Sequence, residues 1–331
     1  MKLARRRLLQ LAAGAAAFPI VSRVATGAEA YPARPITMIV PFPAGGPTDV
    51  IARMIAEHMR KSLGQSVVVE NTSGAANGSI GIGRLVRSAP DGYTLGIGHW
   101  SSNVVNGVIY DLPYDLVRDL EPIALVATNP LILVGKNDLE AKTLPNLLAL
   151  LRANPDKVLL GTAGVGSPPH VAGAFFQTLT QIKFRFVHYR GGAPAMQDLL
   201  GGQIDLLIPQ PPIALPLVSE GKIRAYAVTA KSRLSVAPDI PTAEEAGAPG
   251  FNLSVWHGLW VPRDTPKSAI AKLNAAVGDA LAAPAVKKAL ADIGQDIPAR
   301  EEQTPEALGA FQKAEIEKWW PIIKEAGIRP Q

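Results

Sequence analysis

Residues 40–59 read VPFPAGGPTDVIARMIAEHM. Ahead of them ITMIV (Ile36 to Val40) is a short β-branched run, expected as a buried strand. Within them Ile51, Met54, Ile55 and Met59 recur at helical spacing, and Gly64 marks the expected helix end. The unit is therefore strand, turn, helix, and its turn carries almost no side-chain bulk. Such a turn leaves the first backbone N–H groups of the helix accessible. A small electron-rich group could bind there, or the turn could simply be compact; one loop does not decide.

Two further stretches repeat the design. VLLG is followed by TAGVGSPPHVAGAFF (Thr162 to Phe176), where Gly164 and Gly166 precede Ser167-Pro168-Pro169. FRFVHY is followed by RGGAPAMQDLL (Arg190 to Leu200), where Gly191-Gly192 precede Pro194. Glycine removes the side chain that would block close approach, and proline fits the first helical turn because its missing N–H is not needed there. The remaining N–H groups and the helix dipole form an anion site. Gly and Pro are also the ordinary punctuation of strand-to-helix turns. Three such turns at carboxyl ends of strands carry more weight, because ligands of open α/β sheets bind there.

Strand and helix signals alternate almost to the end. Strands are expected at ITMIV, SVVVE (66), YTLGI (93), PIALVA (122), LILVG (131), VLLG (158), FRFVHY (184), IDLLIP (204) and RAYAVTA (224). Helices are expected from about Pro47, Ser79, Leu144, Pro168, Ala193 and Ile213, then over 266–282, 284–293 and 304–326. Continuous apolar strands separated by helices predict an α/β protein with parallel sheets covered on both faces. Two sheets are expected, with residues 31–128 and 231–331 in one lobe and 129–230 in the other; a single large sheet stays open at this stage. On the two-lobe division the first loop faces the other two across a cleft, as a clamp for a small anion.

The first thirty residues read as an export segment. Arg5-Arg6-Arg7 precede an apolar run from Leu8 to Val21, and Ala28-Glu29-Ala30 supplies small residues for cleavage after Ala30. That run is shorter than the roughly 20 residues that span a bilayer. RRRLLQ is similar to a twin-arginine signal, with an ordinary secretory signal as the alternative. A periplasmic mature chain beginning at Tyr31 is expected. Removing the segment takes away most of the formal charge of +5, so the basic balance is not a nucleic-acid footprint. There is no cysteine, which excludes thiol catalysis, thiolate metal sites and iron–sulfur clusters.

Other chemical signals are weak. GSIGIG (glycines at 78, 81 and 83) does not match the dinucleotide order, and no G-x-x-x-x-G-K-[ST] occurs. Histidines 58, 99, 170, 188 and 257 lack metal spacing and read as caps or packed residues. Ser167 and His170 lie close in sequence, yet the G-x-S-x-G elbow of a nucleophile is absent. Asp49 is either a ligand contact or an acid compensating the helix dipole.

Taken together, YPARPITMIVPFPAGGPTDVIAR, VVVEN, APDGYTL, GTAGVGSPPHVAG, HYRGGAPAMQDLLGGQIDL, GKIRAYAVT, PDIPTAEEAG and IKEAGIRP resemble the Bug family, the extracytoplasmic solute receptors of tripartite tricarboxylate transporters. The resemblance covers the mature chain. It implies a two-lobed periplasmic binding fold, type II-like, that closes on a small carboxylate, needs no cofactor, metal or nucleic acid, and works as a monomer with the large and small membrane subunits of such a transporter. Carried over, the carboxylate site falls on Phe42, Ala44, Gly45, Thr48 and Asp49, on Ala163, Gly164, Ser167 and His170, and on Gly191, Gly192 and Ala193. Two positions depart from the family pattern: His99-Trp100-Ser101-Ser102 stands where small residues are common, and Pro209-Gln210 where an acid and a small polar residue are. Trp100, Ser101 and Gln210 are thus expected at the distal end of the ligand. Trp100 could stack on a ring, favouring an aromatic or largely apolar acid, or be packed structurally; a dicarboxylate is the next choice. An enzyme is the first rival reading, weakened by the lack of an acid–base constellation, and a sensor for a signalling partner is the second.

Overall fold

A computed structural model describes residues 31–74 and 77–329; the export segment expected over residues 1–30 lies outside the described residues. In chain order the elements are β1 (Ile36–Val40), α1 (Pro47–Leu63), β2 (Val67–Asn71), α2 (Ser79–Val86), β3 (Thr94–His99), a π-helical turn (Ser101–Val105) running into α3 (Asn106–Ile109), β4 (Leu120–Pro130) and β5 (Ile132–Lys136). There follow α4 (Leu144–Ala153), β6 (Leu159–Thr162), α5 (Pro168–Thr180), β7 (Arg185–His188), α6 (Gly192–Leu200), β8 (Leu206–Leu207), α7 (Pro211–Ser219) and β9 (Ile223–Val228). The chain ends with β10 (Ser254–Pro262), α8 (Lys267–Ala282), α9 (Pro284–Asp292), a 3₁₀ turn (Arg300–Gln303) and α10 (Pro305–Glu325).

These strands form two five-stranded sheets, ordered β2-β1-β3-β10-β4 and β7-β6-β8-β5-β9. Each sheet with its covering helices is one lobe. The chain passes between them twice, from β4 through Leu131 into β5 and from β9 back to β10. Both sheets are mixed, which corrects the expectation of parallel sheets. β1 runs parallel to β2 and β3, but β10 runs antiparallel to β3 and β4. In the second sheet β6 is parallel to β7 and β8, while β5 is antiparallel to β8 and β9. The reason is the double crossing: the strands that enter and leave a lobe are inserted against the direction of its βαβ units.

The opening stretch folds as read. Gly46 is extended before Pro47 at the first turn of α1, and Gly64 closes the helix in the left-handed region (φ 68°), its N–H donating to Arg60 O. Ile51, Ile55 and Met59 are buried against β1 and β3. A second cluster spans both lobes. Its centre is aromatic: Trp100 meets Trp319 edge to face at 5.3 Å, and Trp319 in turn meets Phe175 of α5 at 5.4 Å. The C-terminal helix therefore belongs to the first lobe and packs against the second.

Candidate functional site

The turn after β1 is organised by one carboxylate. Asp49, in the first turn of α1 and 3% exposed, accepts from Gly45 N (2.8 Å) and Arg53 Nε (3.0 Å) on Oδ2, and from Asn71 Nδ2 (2.9 Å) on Oδ1. The same Asn71 amide also donates to Phe42 O, so β2 pins both ends of the loop. Burial opposes ionisation of Asp49, but the hydrogen bonds from Arg53, Gly45 and Asn71 outweigh it and hold the carboxyl below its ordinary range. Gly45 N–H is consequently committed within the loop. Pro47 contributes no donor, and Gly46 supplies no side-chain cap, so the N–H groups of Thr48 and Asp49 are the first-turn donors of α1. Ala44 and Gly45 are exposed at the tip, and Phe42 is half-buried beside them.

Behind this loop lies a buried polar floor. His257 of β10 sits opposite His99 of β3 in register, with ring centroids 4.9 Å apart, and Thr48 Oγ1 bonds to His257 Nε2 at 3.1 Å. His99 Nδ1 accepts from Ser101 N (3.2 Å) and lies 2.8 Å from Ser101 Oγ, which assigns the proton to Nε2. Burial pushes the His99 pKa down to about 3, and burial with His99 alongside pushes His257 well below its ordinary value. Both are neutral at neutral pH. Ser101 itself is buried in the π-helical turn, a rare geometry that recurs at functional sites.

Across from it, the turn after β6 is shaped by its glycines. Gly164 and Gly166 have φ of 116° and 72°, conformations open to glycine and costly for other residues. Ser167 Oγ donates to Gly164 O (2.6 Å), and Gly166 N donates to His170 Nδ1 (3.1 Å). Two prolines at the head of α5 remove two donors, and His170 N is bonded to Ser167 O. Gly164 N and Ser167 N are likewise bonded within the turn, to Thr162 Oγ1 and Gly164 O. Burial and then the neighbouring His188 push the His170 pKa down to about 4, so this histidine is neutral as well. The turn after β7 lies beside it: the His170 and His188 rings are 4.6 Å apart, and Tyr189 N donates to Thr162 O. Gly191 (φ 132°) precedes α6, where Gly192 and the exposed Ala193 present first-turn N–H groups with no side-chain cap.

The two lobes touch through the second loop. Asn77 Nδ2 of the first lobe donates to Val165 O at 2.8 Å. Gly166 stands at φ 72°, which strains any other residue, and a Cβ there would also press on the tips of Ile109 (2.8 Å to Cδ1) and Asn77 (2.9 Å to Nδ2), which would have to move. Neither Asn77 nor Ile109 was singled out by the sequence, since their roles exist only once the lobes meet. Phe42, Ala44, Gly45, Thr48, Asp49 and Ser101 thus lie on the carboxyl edge of the first sheet. Ala163, Gly164, Ser167, His170, Gly191, Gly192, Ala193 and Gln210 lie on that of the second. Trp100 does not join them: it is fully buried, and its ring is given to Trp319. The stacking expectation is therefore corrected to the packed alternative. Among the described residues no group of three His, Asp or Glu is arranged to hold a metal ion.

Two α/β lobes, crossed twice by the chain and presenting uncapped glycine–proline helix starts from both sides, define a two-lobed binding protein of the periplasmic type. The model of the tripartite tricarboxylate transporter family receptor matches residues 51–328, and the chain belongs to that family. It is 37% identical over 304 residues to Protein BugT of Bordetella pertussis, covering 91% of this chain and 92% of that protein. It superposes with a TM-score of 0.80 on MatC of Rhodopseudomonas palustris with bound malate, at 36% identity, covering 88% of this chain and all of the other. An R. palustris protein solved with adipate gives a TM-score of 0.83 at 32% identity, covering 91% of this chain and 100% of that one.

Proposed function

We propose that this protein is a periplasmic receptor that captures a small carboxylate between its lobes and delivers it to the large and small membrane subunits of a tripartite tricarboxylate transporter. The observation that carries the reading is the set of uncapped helix starts on both carboxyl edges, brought together by the Asn77–Val165 contact and lined by neutral histidines. Such a site holds an anion by backbone N–H groups and dipoles without a facing cation. Relatives solved with malate and adipate bound support the ligand class. With Trp100 committed to the core, an aliphatic dicarboxylate is favoured over an aromatic acid. Export with cleavage after Ala30 fits the same role.

The test is a thermal-shift and calorimetric screen of residues 31–331 against malate, succinate, adipate, benzoate and glutamate. A ligand at a hundred times its Kd stabilises by about 2.7 kcal/mol, which for a chain of this size raises the melting temperature by roughly 4 °C. The screen would overturn the reading if no carboxylate moved the melting temperature. Delivery is tested separately: uptake of the best ligand should require this protein together with both membrane subunits.

A further inference from the structure

The turn that opens α2 touches the loops after β1 and after β6. Gly78 (φ 86°) lies against the first of these: a Cβ there would stand 2.9 Å from Pro41 Cβ and 3.3 Å from Phe42 Cζ. Its neighbour Asn77 reaches the second, in the other lobe, where Nδ2 donates to Val165 O at 2.8 Å. The peptide so held is tied on both sides, because Gly166 N donates to His170 Nδ1 (3.1 Å) within the second lobe. Asn77 itself stands at φ 47°, left-handed backbone that is unfavourable for a residue with a side chain. Asn106 Nδ2 donates to Asn77 O (3.2 Å) and braces the turn in that shape. A residue held in such backbone between two loops, with its side chain bonded across the lobes, calls for a functional account.

We infer that Asn77 is a clasp that sets how long a carboxylate stays in the closed cleft, without itself touching the carboxylate. The inference rests on the carboxylate-receptor reading and adds a positioning residue to that site. The clasp is a bond made in one state only. With the lobes apart, Asn77 Nδ2 and Val165 O are both hydrated; with the lobes together, their bond counts toward the closed form alone. Ligand enters an open cleft, so the clasp forms after entry and acts on escape. It also orients the second loop. The 165–166 peptide cannot turn while its oxygen is held by Asn77 and its N–H by His170.

Two variants separate closure from folding. Asn77→Gly removes the side chain and suits the left-handed φ, while Asn77→Asp keeps the shape and sets an acceptor where the donor stood. Stopped-flow binding of malate, with adipate as a second probe, to residues 31–331 reads the association and dissociation rates separately. Asn77→Gly is expected to quicken dissociation about fivefold, the size of one neutral hydrogen bond lost from one state. Asn77→Asp should do at least as much, and association should be equal or faster in both. The ligand-free melting temperature of Asn77→Gly should hold, since the relieved φ offsets the added freedom of glycine in the unfolded chain. Should Asn77→Gly fail to fold, the rates of Asn77→Asp decide alone. Dissociation unchanged in the variants, or association slowed by as much as dissociation is quickened, overturns the clasp and leaves the receptor reading standing. If malate, adipate and the other acids of the screen all fail to bind the parent, the receptor reading falls. The clasp is then decided by small-angle scattering of the ligand-free protein. Asn77→Gly should show the larger radius of gyration, and equal radii would overturn the clasp as well.

Discussion

Replacing Asp49 by Asn separates two roles that predict opposite signs. If the carboxylate faced the ligand, it would repel a bound anion. At about 5 Å and an effective dielectric constant near 20 the repulsion is at most about 3 kcal/mol, so removing the charge would tighten binding. The structure instead makes Asp49 the organiser of the first loop, with both oxygens filled by Gly45, Arg53 and Asn71. An Asn side chain has one acceptor oxygen for those three donors. Arg53 is 54% exposed on its side chain and finds water, so losing its pair costs little. The Gly45 and Asn71 bonds add about 1 kcal/mol each at most. The expected loss is roughly 2 kcal/mol, or about 3 °C in melting temperature for a chain of this length. Binding should weaken, by about tenfold, because the loop is no longer held ready. The lowered pKa of Asp49 means that the unfolded chain takes up its proton first, so this stabilisation is present above pH 4 and is lost as the pH falls through the folded-state value. Asp49→Asn should therefore flatten the acid limb of the stability curve. Calorimetry and melting curves from pH 3 to 8 check both points. Tighter ligand binding in Asp49→Asn would refute the organising role.

Trp100→Ala removes a fully buried ring packed on Trp319 and should cost about 3–5 kcal/mol. Where the variant still folds, competition calorimetry should give the same preference between benzoate and adipate as the parent. Glu315 accepts from the indole N–H groups of Trp256 and Trp319, both at 3.2 Å, and burial raises its pKa against those two bonds. An acid with a raised folded-state pKa destabilises increasingly as the pH climbs from its unfolded value through the folded one. Glu315→Gln keeps an acceptor and drops the charge, so denaturant titration should show it gaining stability relative to the parent at pH 8 but not at pH 4.

The alternation of elements was legible because each strand-to-helix turn is a local event. Gly46, Pro47 and Gly64 act on the residues beside them, and α1 began and ended where they stand. What escaped was non-local. β10 carries a usable signal in SVWHGLWVP, an aromatic and β-branched run, but His257 and Gly258 interrupt it, and nothing near it in sequence says that it inserts antiparallel between β3 and β4. Trp100 shows the same limit from the other side. Its position after β3 drew it toward a ligand, whereas its burial is decided by Trp319, over two hundred residues away. A loop that offers backbone N–H groups can be read from its glycines, because any side chain there is in the way. A pocket that discriminates among ligands is built from side chains that ordinary loops also carry, so its specificity appears only when distant segments are placed side by side.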